Sequence, residues 1–177
     1  MKLTALIVLR IILSLSSLLA SAYLSTEYGI IDNGQYFEIF KYSQVIALIS
    51  VLGFPSLILR ESNTLQLHKS FEILVLPLSA LLWVVLICLK ELEFNESLAV
   101  LNISIISSLL KLKEANLVSR NQQFSAIFSS LSTVHILFLV VLIIANKYWL
   151  VLLVNLTSII VAIYLILILI DMRERIK

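Results

Sequence analysis

Four side chains in this 177-residue sequence could hold a charged or hydrogen-bonding ligand while set among apolar neighbours: Arg10, Lys41, Arg60 and His135. Arg10 lies seven positions beyond Leu3, about 10 Å along a helix. A guanidinium at that depth either snorkels back to the headgroups or lines an internal cationic cavity. Lys41 has Glu38 three residues before it and Gln44 three residues after it, on one helical face. Either Glu38 neutralises it or it faces water in a cavity. His135 ends a stripe of Ser125, Ser129 and Ser132 at helical spacing. Such a stripe serves helix packing through interhelical hydrogen bonds, or carries substrate or protons. Arg60 closes an apolar run.

No arrangement for covalent chemistry accompanies them. An intramembrane hydrolase needs a nucleophile with its base, or a metal with several ligands. The chain offers two histidines, His68 and His135, one cysteine, Cys88, and no clustered carboxylates in an apolar run. Its three glycines form no phosphate-cradling loop. The reading is therefore of a protein that is not an enzyme and has no cofactor or metal. Cys88 reads as a small buried hydrophobe. A net charge of +2 spread along the chain excludes nucleic acid as a partner.

Positioning those side chains falls to helices in a bilayer. Hydrophobic residues make up 60% of the chain and charged ones 14%, with a mean hydropathy of +1.06, outside the range of a soluble domain of this length. Spanning hydrocarbon takes about 20 apolar residues in a helix. The runs Leu3–Leu24, Tyr36–Leu59, Phe71–Leu89, Glu96–Leu112, Phe124–Ala145 and Tyr148–Ile170 predict about six transmembrane helices in one all-α bundle over 1–177. The fourth run carries Asn102, Ser104, Ser107 and Ser108, which suits a helix facing other helices more than lipid.

Charge sets the orientation. With six spans and the amino end inside, Lys2, Arg60, Lys69, Lys111, Lys113, Arg120, Arg173, Arg175 and Lys177 fall on the cytoplasmic side, nine of the thirteen cationic residues. Only Lys90 and Lys147 fall outside, so the positive-inside bias predicts both ends in the cytoplasm and a multi-pass protein of the cytoplasmic (inner) membrane. Lys2, an apolar stretch and Ala20, Ser21 and Ala22 imitate a cleavable secretory signal. Arg10, in the middle of that stretch, argues against one. The strings Asn95-Glu96-Ser97, Asn102-Ile103-Ser104 and Asn155-Leu156-Thr157 match the glycosylation pattern, but two lie inside expected spans and carry no such meaning.

Between Tyr28 and Glu61 the chain reads Tyr-Gly-Ile-Ile-Asp-Asn-Gly-Gln-Tyr-Phe, then a span, then Leu-Gly-Phe-Pro-Ser-Leu-Ile-Leu-Arg-Glu. This resembles the polysaccharide-flippase branch of the multidrug, oligosaccharidyl-lipid and polysaccharide exporter superfamily, with Tyr28-Gly29, Leu52-Gly53 and Arg60 in the matching places. Span order and orientation look like the first lobe of such a transporter. The resemblance implies movement of an undecaprenyl-pyrophosphate-linked oligosaccharide between leaflets for O-antigen, capsule or a related polymer. Arg10 matches the family's arginine in the first span, Lys41 would be a second phosphate-facing charge, and Arg60 would sit at the inner entrance.

Family members have two lobes, whereas this chain accounts for one. A homodimer or a separately encoded second lobe would supply the other, with membrane lipids around both. Two rivals stand beside this reading. A drug or cation antiporter of the same superfamily calls for a carboxylate deep in a span, where Glu38 and Glu72 fit poorly. A nontransporting fragment or assembly subunit would use its polar span residues only to hold helices together.

The even number of crossings is testable. A reporter or a labelled cysteine at Lys177 is expected to be reachable only from the cytoplasm, and labelling from outside in intact cells contradicts the lobe comparison.

Overall fold

The computed structural model describes the backbone of residues 2–60, 64–120, 122, 125–126, 132–145 and 148–176. All of its regular structure is helical. The elements are α1 (Lys2–Glu27), α2 (Ile30–Val51), α3 (Phe54–Arg60), α4 (Thr64–Leu89), α5 (Phe94–Ser119), α6 (Ser132–Ala145) and α7 (Trp149–Ile176).

Among the described residues, two helices are long and apolar enough to cross a membrane, α4 over His68–Leu89 and α7 over Trp149–Ile170. The pair α2 and α3 qualifies together, bent by 45° at its break. Large apolar side chains cover the outside of the bundle: Leu18, Leu48, Leu81, Ile144 and Leu169 are each more than 60% exposed. Water-soluble monomers rarely show contiguous apolar surface of that kind, and membrane association accounts for it.

The second apolar run departs from the single span expected over Tyr36–Leu59. The helix begins earlier, at Ile30, and breaks at Leu52-Gly53. Gly53 has φ +81 and Leu52 φ 29, left-handed values that a continuing helix does not allow and that glycine adopts without a Cβ penalty. Pro55 follows, in the first turn of α3, where its missing N–H costs nothing. The Ser56 hydroxyl closes the turn by donating to the Gly53 carbonyl at 2.6 Å.

A shorter corner joins α1 to α2. The Tyr28 and Gly29 amides both donate to the Leu24 carbonyl, and Gly29 reverses the chain with φ +103. Asn33 then ties the two helices, its Oδ1 accepting from Ser21 at 3.1 Å and its Nδ2 donating to Ser25 at 2.7 Å.

The helix with the polar run became the centre of the bundle. α5 packs against α2, α3, α4 and α7, with Ser97, Asn102, Ser104, Ser107 and Ser108 all buried. Within hydrocarbon the hydrophobic effect gives little drive for one helix to prefer another, so close backbone approach and interhelical hydrogen bonds decide the packing. On α2 the residues Ser43, Ala47 and Ser50 are fully buried on one face. Ser43 donates to the Ile39 carbonyl in its own helix at 2.7 Å and to Val100 of α5 at 3.2 Å. Ser108 donates to Ser104 at 2.8 Å and reaches the Ala47 carbonyl at 3.5 Å. Elsewhere Ser79 of α4 donates to Ser50 at 3.0 Å. Asn102 bridges to α7, with Nδ2 donating to Thr157 at 3.3 Å and Ser158 at 2.8 Å.

Because Ser108 is satisfied within α5, close contact matters more at this seam than the bond across it. Ala47→Leu is expected to cost about 1–3 kcal/mol by overpacking, and Ser108→Ala no more than about 0.6 kcal/mol. Denaturation of the purified protein in detergent measures both; equal losses would refute the ranking.

Candidate functional site

The four residues singled out by their chemistry do not meet at one place. Arg10 belongs to α1, but its side chain lies outside the described residues. Arg60 is exposed at the last position of α3. Lys41 is exposed on α2, and His135 is half-buried on α6. Of the serine stripe leading to His135, the side chains of Ser129 and Ser132 lie outside the described residues, and Ser125 is exposed.

His135 sits in an aromatic corner. Its Nδ1 is 2.9 Å from the Tyr36 hydroxyl, which donates when that nitrogen is unprotonated. Phe40 stacks on the imidazole with centroids 4.7 Å apart, and Tyr36 stacks on Phe138 at 4.5 Å. Phe138 meets Trp149 edge-on at 5.5 Å. The Trp149 indole N–H donates to Asp32 at 3.0 Å, and the Tyr28 hydroxyl donates to the Leu142 carbonyl at 3.0 Å. Burial first, then Tyr23, Glu27 and Asp32, raise the Tyr28 phenol above its ordinary value of 10.0, which keeps it a donor. Each aromatic pair contributes roughly 0.5–1.5 kcal/mol beyond its buried area. The corner thus joins α1, α2, α6 and α7, and the one ring nitrogen of His135 with a partner is spent on Tyr36.

Lys41 enters a different group. Glu38 accepts from the Tyr42 hydroxyl at 3.1 Å, so the carboxylate serves the phenol where a direct Glu38–Lys41 pair was one expectation. The Lys41 ammonium stands 5.7 Å from the centre of the Tyr42 ring. The Lys90 ammonium, just beyond α4, stands 6.0 Å from the same centre. Two cations therefore converge on one aromatic ring beside one carboxylate, on an exposed edge. Cation–π attraction holds ammonium groups at such distances, and two exposed cations share this edge.

A third place was not singled out from the residues. A half-open cleft of about 350 Å³ lies between α4, α5 and α7, with His68, Glu72, Lys113, Asn116 and Tyr164 among its lining residues. That volume falls within the usual range for small-molecule pockets, about 300–1,000 Å³. His68, outside the run Phe71–Leu89 expected to span, begins the apolar stretch of α4 and is only 7% exposed. Its Nδ1 lies 3.2 Å from Glu72 Oε1. Among the described residues its Nε2 is the one buried side-chain polar atom without a partner, an omission worth about 1–3 kcal/mol. Tyr164 brings a phenol to the same cleft from α7. The i,i+4 spacing of His68 and Glu72 was the available signal. Among the described residues no group of three histidine, cysteine or acidic side chains could hold a metal ion.

The class these features define is an α-helical protein with, among the described residues, two or three helices able to cross a membrane. No family model, no curated protein and no solved structure matches the chain.

Removing the hydroxyl that His135 meets tests the aromatic corner. Tyr36→Phe is expected to lower stability by about 1 kcal/mol in detergent denaturation while keeping the ring stack; an unchanged midpoint would show that the bond contributes nothing.

Proposed function

We propose that the chain is one lobe of a flippase for undecaprenyl-pyrophosphate-linked oligosaccharide, with six transmembrane helices and both ends in the cytoplasm. The observation that carries this reading is the convergence of Lys41 and Lys90 on Tyr42 at an exposed edge. The hydrocarbon interior opposes the passage of sugar hydroxyls and phosphate charge. Cations set on the flank of a lobe can face a wet cavity only when a second lobe closes over them. A second copy of the chain or a separately encoded lobe would provide that closure, and two such lobes would repeat in parallel about an axis along the membrane normal.

In this reading Lys41 and Lys90 receive the pyrophosphate toward the outer side, Arg10 attracts it within the first span, and Arg60 stands at the inner entrance. No bond is made or broken, and the sugar crosses as the lobes alternate. The six-span count is supported by the distribution of the cationic residues, which leaves Lys90 and Lys147 alone on the outer side.

A second reading has its own support. The buried hydroxyls of Ser43, Ser104, Ser108 and Thr157 all donate to backbone carbonyls in their own helices, and Asn102 is bonded to α7. Interior polarity used up in this way serves an assembly subunit as well as a transporter.

Complementation of a flippase-deficient strain separates the two. Arg10→Ala and the double variant Lys41→Gln, Lys90→Gln are each expected to lower surface polymer by roughly tenfold or more at normal levels of inserted protein, and Lys41→Arg to preserve it. Wild-type polymer in the double variant would end the phosphate-handling role.

A further inference from the structure

The cleft between α4, α5 and α7 presents polar groups and apolar walls in a definite order. Along α5 the lining runs Ile106, Leu109, Lys113, Asn116, and along α7 it runs from Ile160 to Tyr164. On α4 it includes His68, where that helix's apolar stretch begins, and Glu72 one turn further in. Phe71 and Val75 of α4 share a packed cluster with Leu112 and Ala115 of α5, which sets Glu72 and Lys113 at one level on facing helices. A carboxylate and an ammonium thus stand across the same cleft, with hydrocarbon side chains leading away along α5 and α7.

We infer that this cleft binds a phospholipid whose headgroup carries both a phosphate and a primary ammonium. Lys113 supplies the phosphate's counter-charge. Asn116 adds a donor, since its Oδ1 already accepts from Arg120 at 3.2 Å and its amide N–H groups remain. The ammonium goes to the opposite wall. A carboxylate has about four lone-pair sites, and Glu72 turns one toward His68, leaving acceptor capacity for a primary ammonium. With Nδ1–H of neutral His68 committed to Glu72, the partnerless Nε2 is a second acceptor. An anionic headgroup without an ammonium leaves Glu72 uncompensated. A quaternary ammonium has no N–H to give. The acyl chains run over Ile106, Leu110 and the exposed Ile160, outside the packed cluster that holds Leu109 and Val161. The inference depends on membrane association alone; none of Arg10, Lys41, Lys90 or Arg60 takes part in it.

Native mass spectrometry of the full chain, released from bilayers holding equal amounts of phosphatidylethanolamine, phosphatidylcholine and phosphatidylglycerol, tests it. Phosphatidylethanolamine is expected to be retained roughly fivefold or more over the other two. Glu72→Gln should erase its advantage over phosphatidylcholine, whereas Lys113→Gln should weaken both about equally, by roughly tenfold. Equal retention of the three lipids by the wild-type protein overturns the proposal with no variant needed. So does selectivity that survives both substitutions, or displacement of the lipid by millimolar glycerophosphoethanolamine, which has no acyl chains. Retention reads no transport, so failure here and failure of the flippase reading are separate results.

Discussion

The close approach of α2 and α5 is the contact on which the remaining packing depends. Ser43, Ala47 and Ser50 on one helix, and Ser104, Ser107 and Ser108 on the other, are all buried. None of these side chains is long enough to hold the backbones apart. Hydroxyls in such a seam would be costly if left bare, yet Ser43, Ser104 and Ser108 each bond a carbonyl in their own helix. Polarity is thereby neutralised before the helices meet, and the seam needs no water. With α5 held there, α4 joins through Ser79 to Ser50 and through the Trp83 indole donating to the Ser97 carbonyl at 2.7 Å. α7 joins through Asn102.

Two further clusters lie away from that seam and are built on different chemistry. The aromatic corner of Tyr36, Phe40, His135, Phe138 and Trp149 uses large rings with polar tips, which combine buried area with directed hydrogen bonds. Asp32 and the Leu142 carbonyl receive those bonds. At the second, Phe54 of α3 stacks on Phe71 of α4 at 4.2 Å. Ile58, Val75 and Leu112 fill the space around them. The 45° bend between α2 and α3 directs the shorter helix onto this second cluster. Leu52 and Gly53 therefore do more than end a helix, because a straight continuation would carry Ile58 away from Leu112.

Run lengths and polar content made much of this legible in the residues. Apolar stretches separated by short polar loops gave the helices, and the serines with Asn102 marked α5 as a helix that faces others. Gly53 and Pro55 were also in view, but they fell inside one apolar stretch, and hydropathy is blind to backbone angle. The cluster of His68, Glu72, Lys113, Asn116 and Tyr164 could not be read that way, because its members come from three helices and meet only when those helices pack. His68 and Glu72 share a helix face at a spacing that ordinary surface helices also show. What distinguishes them is burial with one ring nitrogen left without a partner, a property of the packed bundle. Lys90 was similarly hidden. From the residues it was a loop lysine counted for orientation, and only folding brings its ammonium to the ring of Tyr42.

Most buried polar groups among the described residues are already bonded within the bundle. Ser43, Ser50, Ser79, Asn102, Ser104, Ser108 and Thr157 are buried and bonded to neighbouring helices or to their own backbone. A water-filled path through these helices would require breaking bonds that give the bundle its cohesion. Groups with capacity to spare lie at the edges: the ammonium groups beside Tyr42 at one, and Glu72 and Lys113, with the buried His68 behind them, in the cleft at another. These flanks are also the surfaces that lipid or a second lobe would cover. The hydrogen-bonded seams of α5 with α2 and α7 are what hold those flanks in shape.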